Sequence, residues 1–341
     1  MRALVWEAPR TMAVREHDLP NIDPDEVLIK VAFAGICGSE LSGYLGHNAL
    51  RVPPLVMGHE FSGELVAIGP QARAAHPTLT EGQPVTVNPL LACGTCRFCF
   101  TGMPHLCRSR QLIGAHRAGA FAECVRVPAS NVLPLPAGMS LHTGALAEPA
   151  AVAVHIGALA GPLEGEQALV LGAGPIGLLA LQVLRLQGAA AVFVSDLDPA
   201  RLEMVAAYGG HPIDARSEDV AQIVATSTDG LGAAVTVDAV GTARTRAQGV
   251  GATRSAGRLI LSGLHEETSA MPAAEIIRRE IVVQGSFCYT HADFARAIDL
   301  LHQGALRLDP WIVEAPLADG GSWFERLIDA PGAVAKVLLT P

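Results

Sequence analysis

Apolar and polar positions divide the chain into two textures. Up to about Glu148 the apolar residues come in short runs, EVLIKVAFAGI, SGELVAIG, QPVTV and FAECVRV, punctuated by proline and glycine. That pattern predicts an irregular, mostly antiparallel β domain with long loops. From about Ala151, strand-length apolar runs alternate with helix-length segments. QALVLGAG, AVFVSD, AVTVDAV, RLILSG and IVVQGS read as strands; PIGLLALQVLRLQG, PARLEMVAAYG, SEDVAQIVATS and RTRAQGVGATRSAG lie between them. Near-continuous Val/Ile/Leu strands are what a parallel sheet covered on both faces requires. After Ser286 a helix, HADFARAIDLLHQG, and a β-like end, AVAKVLLTP, return to the first texture. The expected division is residues 1–150 with 288–341 in one domain and residues 151–287 in an α/β doubly wound domain.

Composition narrows the chemistry. Half of the 341 residues are hydrophobic and 17% are charged, which is ample material for two cores. A formal net charge of -9 without lysine or arginine runs argues against a nucleic-acid partner. The N-terminal MRALVWEAPRTMAVREHD has no signal-peptide core, and no apolar run reads as a membrane span, so a cytoplasmic, reducing setting is expected. In such a setting clustered cysteines favour metal over disulfides. Four of the seven cysteines lie in LLACGTCRFCFTGMPHLCRSR, residues 90–110.

The second half carries a dinucleotide fingerprint in its proper context. In ALVLGAGPIGLLAL a strand leads into Gly172-Ala173-Gly174-Pro175-Ile176-Gly177 and then a helix. The first glycine permits a tight turn, the second a close approach of pyrophosphate to backbone, and the third close helix–strand packing; the helix N-terminus offers unpaired N–H groups. The next strand ends at Asp196, where a ribose-binding carboxylate is expected. Such an acid accepts from ribose hydroxyls and repels a 2′-phosphate, which favours NAD over NADP. Asp196 could instead cap the following helix, a task Asp198 can also perform. Arg201 could lie over the adenine or be a solvated helix residue.

The first half holds a mixed donor set. GICGSE supplies Cys37, VMGHEFSG supplies His59 and Glu60, and ALAEPAAVAVH supplies Glu148. Sulfur, nitrogen and oxygen donors together suit a catalytic zinc with an open position. Singly, Cys37 could be a buried small hydrophobe, His59 a core histidine and Glu148 a helix N-terminal acid. Gly35, Gly38, Gly58 and Gly63 bracket the first ligands, as close backbone approach would require.

On these segments the chain resembles the zinc-dependent medium-chain alcohol dehydrogenases, in the branch of polyol and threonine dehydrogenases. GHEFSGELVAIGPQA, CGTCRFCFTGMPHLC and GAGPIGLLAL…VSDLDPARLE match that family's motifs in family order, over essentially the whole chain. The resemblance implies a GroES-like catalytic domain, a Rossmann domain binding NAD, and two zinc ions per chain. Cys93, Cys96, Cys99 and Cys107 would form a closed structural site. Cys37, His59 and a carboxylate, Glu60 or Glu148, would hold the catalytic ion. Ser39 would pass on the proton of the alcohol. A homo-oligomer, dimer or tetramer, and a small alcohol, polyol or sugar-derived alcohol substrate are implied as well.

Two departures stand out. The family often reads Cys-Gly-Ser/Thr-Asp with a histidine two residues later; here Glu40 and Ser42 occupy those places, and His47 is a conceivable substitute. Cys288 stands in GSFCYT where sorbitol dehydrogenases carry an arginine, which disfavours sorbitol itself. A zinc-free enone reductase using NADPH and a non-catalytic NAD sensor are the competing classes; Cys37, His59 and Asp196 argue against the first, and the donor set against the second.

Overall fold

A computed structural model describes residues 1–341. It resolves into two units, Met1–Glu148 with Thr290–Gly304 and Ile312–Pro341, and Pro149–Tyr289 with Ala305–Trp311. The segment 305–311, expected in the first domain, groups with the second. It does so because Gln182 bonds the backbone of Arg307 in both directions and the Tyr208 hydroxyl donates to Asp309 O. No helix is long and apolar enough to cross a membrane.

The first unit is built on a seven-stranded sheet. Its path runs Val132–Pro134, Pro84–Val87, Glu60–Ile68, Glu26–Gly35, Lys336–Thr340 and Ile312–Pro316, with Cys124–Pro128 pairing Glu26–Gly35. The final strand thus lies beside Glu26–Gly35, with Leu338 opposite Gly35. Glu60 opposes the same glycine from the other side. Alternating inward residues, including Ile29, Phe61, Leu65, Val85, Val337 and Leu339, form the core with Trp6, Phe121 and Phe324. Phe324 comes from Gly320–Asp329, a helix the sequence reading did not anticipate.

The second unit contains a six-stranded, wholly parallel sheet in the order His211–Asp214, Ala191–Asp196, Gln167–Leu171, Ala233–Asp238, Thr253–Leu261, Val282–Gly285. Numbered within the unit this is 3-2-1-4-5-6, the doubly wound dinucleotide-binding order. Val170, Leu171 and Val194 are fully buried in the central strands, as two covered faces demand. Two expectations need correction. HPID is a strand, missed because it is short and half polar. RTRAQGVGATRSAG is helical only to Ala252; Thr253 begins a strand whose hydroxyl bonds Thr236 of its neighbour. Pairing overrode the local helical propensity there.

Candidate active site

The strand Glu26–Gly35 ends by delivering Cys37 to the head of a short helix, Gly38–Tyr44. Glu40, in the first turn of that helix, is fully buried and organises its surroundings. Its Oε2 accepts from Cys37 N at 3.0 Å, and its Oε1 accepts from Gly58 N at 2.9 Å and lies 2.7 Å from His59 Nδ1. Burial alone would raise its carboxyl pKa; His59 and Arg51 hold it below the usual value. Glu40 is therefore an anion, His59 Nδ1–H donates to it, and Nε2 is left for a metal. Burial disfavours the charged imidazole, but the Glu40 and Cys37 charges outweigh it and raise His59 well above its ordinary pKa.

Glu60 reaches back across Gly35, where a Cβ would stand 2.5 Å from Glu60 Oε2. Its partner is Lys336, whose Nζ donates to Glu60 Oε2 at 2.6 Å and to Ile36 O at 3.2 Å, with both side chains buried. Burial lowers the lysine pKa, while Glu60, Cys37 and Glu148 raise it to a net increase. Donor atoms of Cys37, His59 and Glu60 lie within 4.8 Å of one another; Glu148 is not among the three. Glu148 is buried in the first turn of the helix Ala147–Ala160, close enough for its charge to act on Lys336. Lys336 escaped the sequence reading. Its signal was a lysine inside the apolar run AVAKVLLT, in a chain whose basic residues are almost all arginine.

Of the four flanking glycines, Gly35, Gly58 and Gly63 are required. Gly58 has φ +103° and its Cβ would press on Phe121 N at 2.7 Å, and a Cβ at Gly63 would overlap Lys30 O. Gly38 faces open space and is not constrained in this way. His47 is exposed, and Arg51 instead contacts Ser39. The Ser39 hydroxyl itself donates to Cys37 Sγ at 3.5 Å.

The donor set fits a divalent cation. Cys37, Glu40, Glu60 and Glu148 outnumber the cations beside them, Lys336 and Arg51, and a divalent ion held by the cluster would offset that excess in a largely buried setting, where unbalanced charge is costly.

Cys93, Cys96, Cys99 and Cys107 also converge within 4.8 Å. The Cys96–Cys99 and Cys93–Cys99 sulfur separations are 3.5 and 3.9 Å. Tetrahedral thiolates about 2.3 Å from one zinc stand about 3.8 Å apart, so the spacing suits a shared ion and is far too long for a disulfide. Hydrogen bonds from the Thr95 backbone and hydroxyl bring the Cys93 thiol to about 6, whereas burial pushes Cys99 up to about 11.

In the second unit the fingerprint glycines have distinct tasks. Gly172 has φ +98°, a Cβ at Gly177 would overlap Gly172 O, and Gly174 opens onto free space at the head of the helix Pro175–Leu186. That opening is what an approaching pyrophosphate needs. Pro175 opens the helix, followed by Ile176. Asp198, not Asp196, caps the next helix, accepting from Ala200 N. Asp196 Oδ2 accepts from Ala173 N at 2.7 Å, and Oδ1 from Leu197 N and Asp198 N. The acid therefore braces the glycine turn and keeps about one lone-pair direction for a ligand. Arg201 is half-buried, with Nε lacking a partner.

A mixed-donor metal cluster in one unit and a dinucleotide fold in the other define a metal-dependent nicotinamide oxidoreductase. Residues 23–137 match the alcohol dehydrogenase GroES-like domain and residues 175–303 the zinc-binding dehydrogenase domain. The chain is 32% identical to L-galactonate-5-dehydrogenase of Escherichia coli K12, over 96% of this chain and 95% of that protein. A zinc-binding dehydrogenase from Sinorhizobium meliloti 1021 bound to NADP superposes with a TM-score of 0.91 at 31% identity, covering 100% of this chain and 99% of that one. RspB from E. coli CFT073 with NADH gives 0.91 at 29% identity, covering 100% and 99%. The chain belongs to the zinc-binding alcohol dehydrogenase family.

Proposed function

We propose that the protein oxidises a secondary alcohol, polyol or sugar-derived alcohol with NAD, using one catalytic and one structural zinc per chain. The observation carrying this reading is the convergence of Cys37, His59 and Glu60 beside Glu40 and Lys336. Zinc supplies a Lewis acid that lowers the pKa of a hydroxyl, and the nicotinamide accepts hydride. The chain's own residues do the rest. Glu40 fixes the tautomer of His59. Lys336 holds Glu60 by Oε2, leaving its other oxygen for the metal, and balances the charge of Glu148 nearby. Ser39 offers its hydroxyl to the alcohol oxygen. The L-galactonate relative is consistent with a sugar-derived substrate, and Cys288 argues against sorbitol. The free thiol cluster suits a reducing cytoplasm, and a homo-oligomer is the expected assembly.

The deciding experiment is zinc analysis together with NAD and NADP reduction over a panel of alcohols, polyols and aldonates. Turnover of none of them by a protein holding two zinc ions would refute the reading. The carboxylate ligand is separable from its neighbour. Glu60→Gln should release the catalytic zinc, and Glu148→Gln should keep it and slow turnover; the reverse result assigns Glu148 as the ligand.

Cofactor choice rests on Asp196. Asp196→Asn removes the charge and keeps one acceptor oxygen, which serves either Ala173 N or the Leu197 and Asp198 N–H groups, so the NAD/NADP ratio of kcat/KM should fall about tenfold or more, the scale of one charge-assisted contact. Asp196→Ala should also weaken binding of both cofactors, because Ala173 N loses its acceptor. A wild-type preference for NADP would overturn the assignment.

A further inference from the structure

Arg51 is 4% exposed, an unusual place for a guanidinium. The nearby anion is Glu40, whose Oε2 accepts from Cys37 N and whose Oε1 serves Gly58 N and His59. Arg51 donates instead to Ser39, from NH1 to the carbonyl at 3.1 Å and from NH2 to Oγ at 3.2 Å; its Nε is buried without a partner. The fold makes room for this reach. A Cβ at Gly43 would stand 2.6 Å from Arg51 Cδ, so the guanidinium stem crosses the Gly38–Tyr44 helix where that helix has no side chain.

A guanidinium donates and never accepts. With Arg51 NH2 on one lone pair, Ser39 Oγ becomes a poorer proton acceptor and its own O–H a stronger donor; that O–H now points to Cys37 Sγ at 3.5 Å and turns from the sulfur to meet a substrate oxygen. Arg51 cannot take a proton onward, so it does not replace a relay histidine. We propose that Arg51 is a positioning residue that anchors Ser39 Oγ so that its hydroxyl, turned from Cys37 Sγ, donates to the substrate oxygen, favouring that oxygen in its negative form. This rests on the reading above that Ser39 meets the alcohol. The competing role is electrostatic: Arg51 as a counter-charge for Glu40.

The test uses trifluoroethanol, an alcohol that ionises readily and resists oxidation. Its dissociation constant is measured by calorimetry on the zinc-loaded protein saturated with NAD, alongside zinc content and the NAD dissociation constant. Arg51→Met and Arg51→Lys should each weaken trifluoroethanol about tenfold or more, with zinc and NAD binding retained. Lysine keeps the charge but loses the two-pronged grip. Gly43→Ala, which displaces the stem and leaves the arginine in place, should act in the same direction and serves if Arg51→Met does not fold. In a Ser39→Ala background, Arg51→Met should add nothing. Full retention of affinity by Arg51→Lys, loss of zinc from it, or an undiminished Arg51→Met effect without the serine would each overturn the proposal. Unchanged trifluoroethanol affinity in Ser39→Ala alone would instead refute the contact between Ser39 and the alcohol, and the proposal with it.

Discussion

Replacing His59 by alanine should lower kcat/KM on the order of a thousandfold or more and take the catalytic zinc with it, leaving one metal per chain. His59 is one of three donors in the cluster and the only nitrogen among them. Without it a two-donor remnant cannot compete with water for zinc. The substitution also has a stability cost that its surroundings make specific. Glu40 is fully buried, and its closest partner is the His59 ring at 2.7 Å. Removing one member of a buried ion pair typically costs about 3–5 kcal/mol. Cys37 N and Gly58 N still bond Glu40, so the loss should sit at or below the low end of that range. Glu40→Gln added to His59→Ala removes the unpaired charge but sets an NH2 donor against Cys37 N or Gly58 N, so it should restore neither the melting temperature nor the activity. Metal analysis, steady-state kinetics and thermal melts of the two variants check this. A His59→Ala protein that kept its zinc and most of its rate would remove the histidine from the site.

Cys96→Ser should have the opposite signature, losing the other zinc and much of the lobe's stability while the catalytic cluster keeps its donors. Between Cys93 and Cys107 the only regular elements are a four-residue helix, Arg97–Phe100, and a three-residue 3-10 turn, Pro104–Leu106. Phe100 is 77% exposed, and Met103 and Leu106 are also exposed, so apolar burial contributes little here. Structural zinc contributes on the order of 10–16 kcal/mol of apparent binding free energy in small zinc-folded peptides. The lobe is accordingly expected to become the first site of proteolytic cleavage, with a lower melting temperature and one zinc per chain. Chelators should reproduce this in the wild-type protein. A Cys96→Ser variant with two zinc ions and an unchanged melting temperature would sink the structural-site reading.

Much of the molecule was legible in order along the chain, for a physical reason. The glycine fingerprint, the strand before it and the acid after it form one contiguous unit of strand, turn and helix, so each residue's task follows from its neighbours. Four thiols within one short loop, at the Cys-x-x-Cys steps of the family it resembles, were readable as a shared site because neighbouring thiolates at that spacing can reach one tetrahedral ion. Even so, local reading misjudged Gly38, which needs no special geometry, and overlooked His211–Asp214, a strand only because Ala191–Asp196 offers it an edge.

What the tertiary structure alone decided lies where distant segments meet inside a buried, low-dielectric cluster. Lys336 stands 276 positions from Glu60, and sheet pairing sets it there because Leu338 is in register with Gly35. Arg51 reaches Ser39 past Gly43, whose missing side chain means nothing until the stem beside it is seen. Burial makes each of these charges expensive, so each must find its partner wherever the fold brings one. Sequence determined which residues could ligate and which half binds the dinucleotide; only folding decided which charges balance the metal site and which hand steadies its serine.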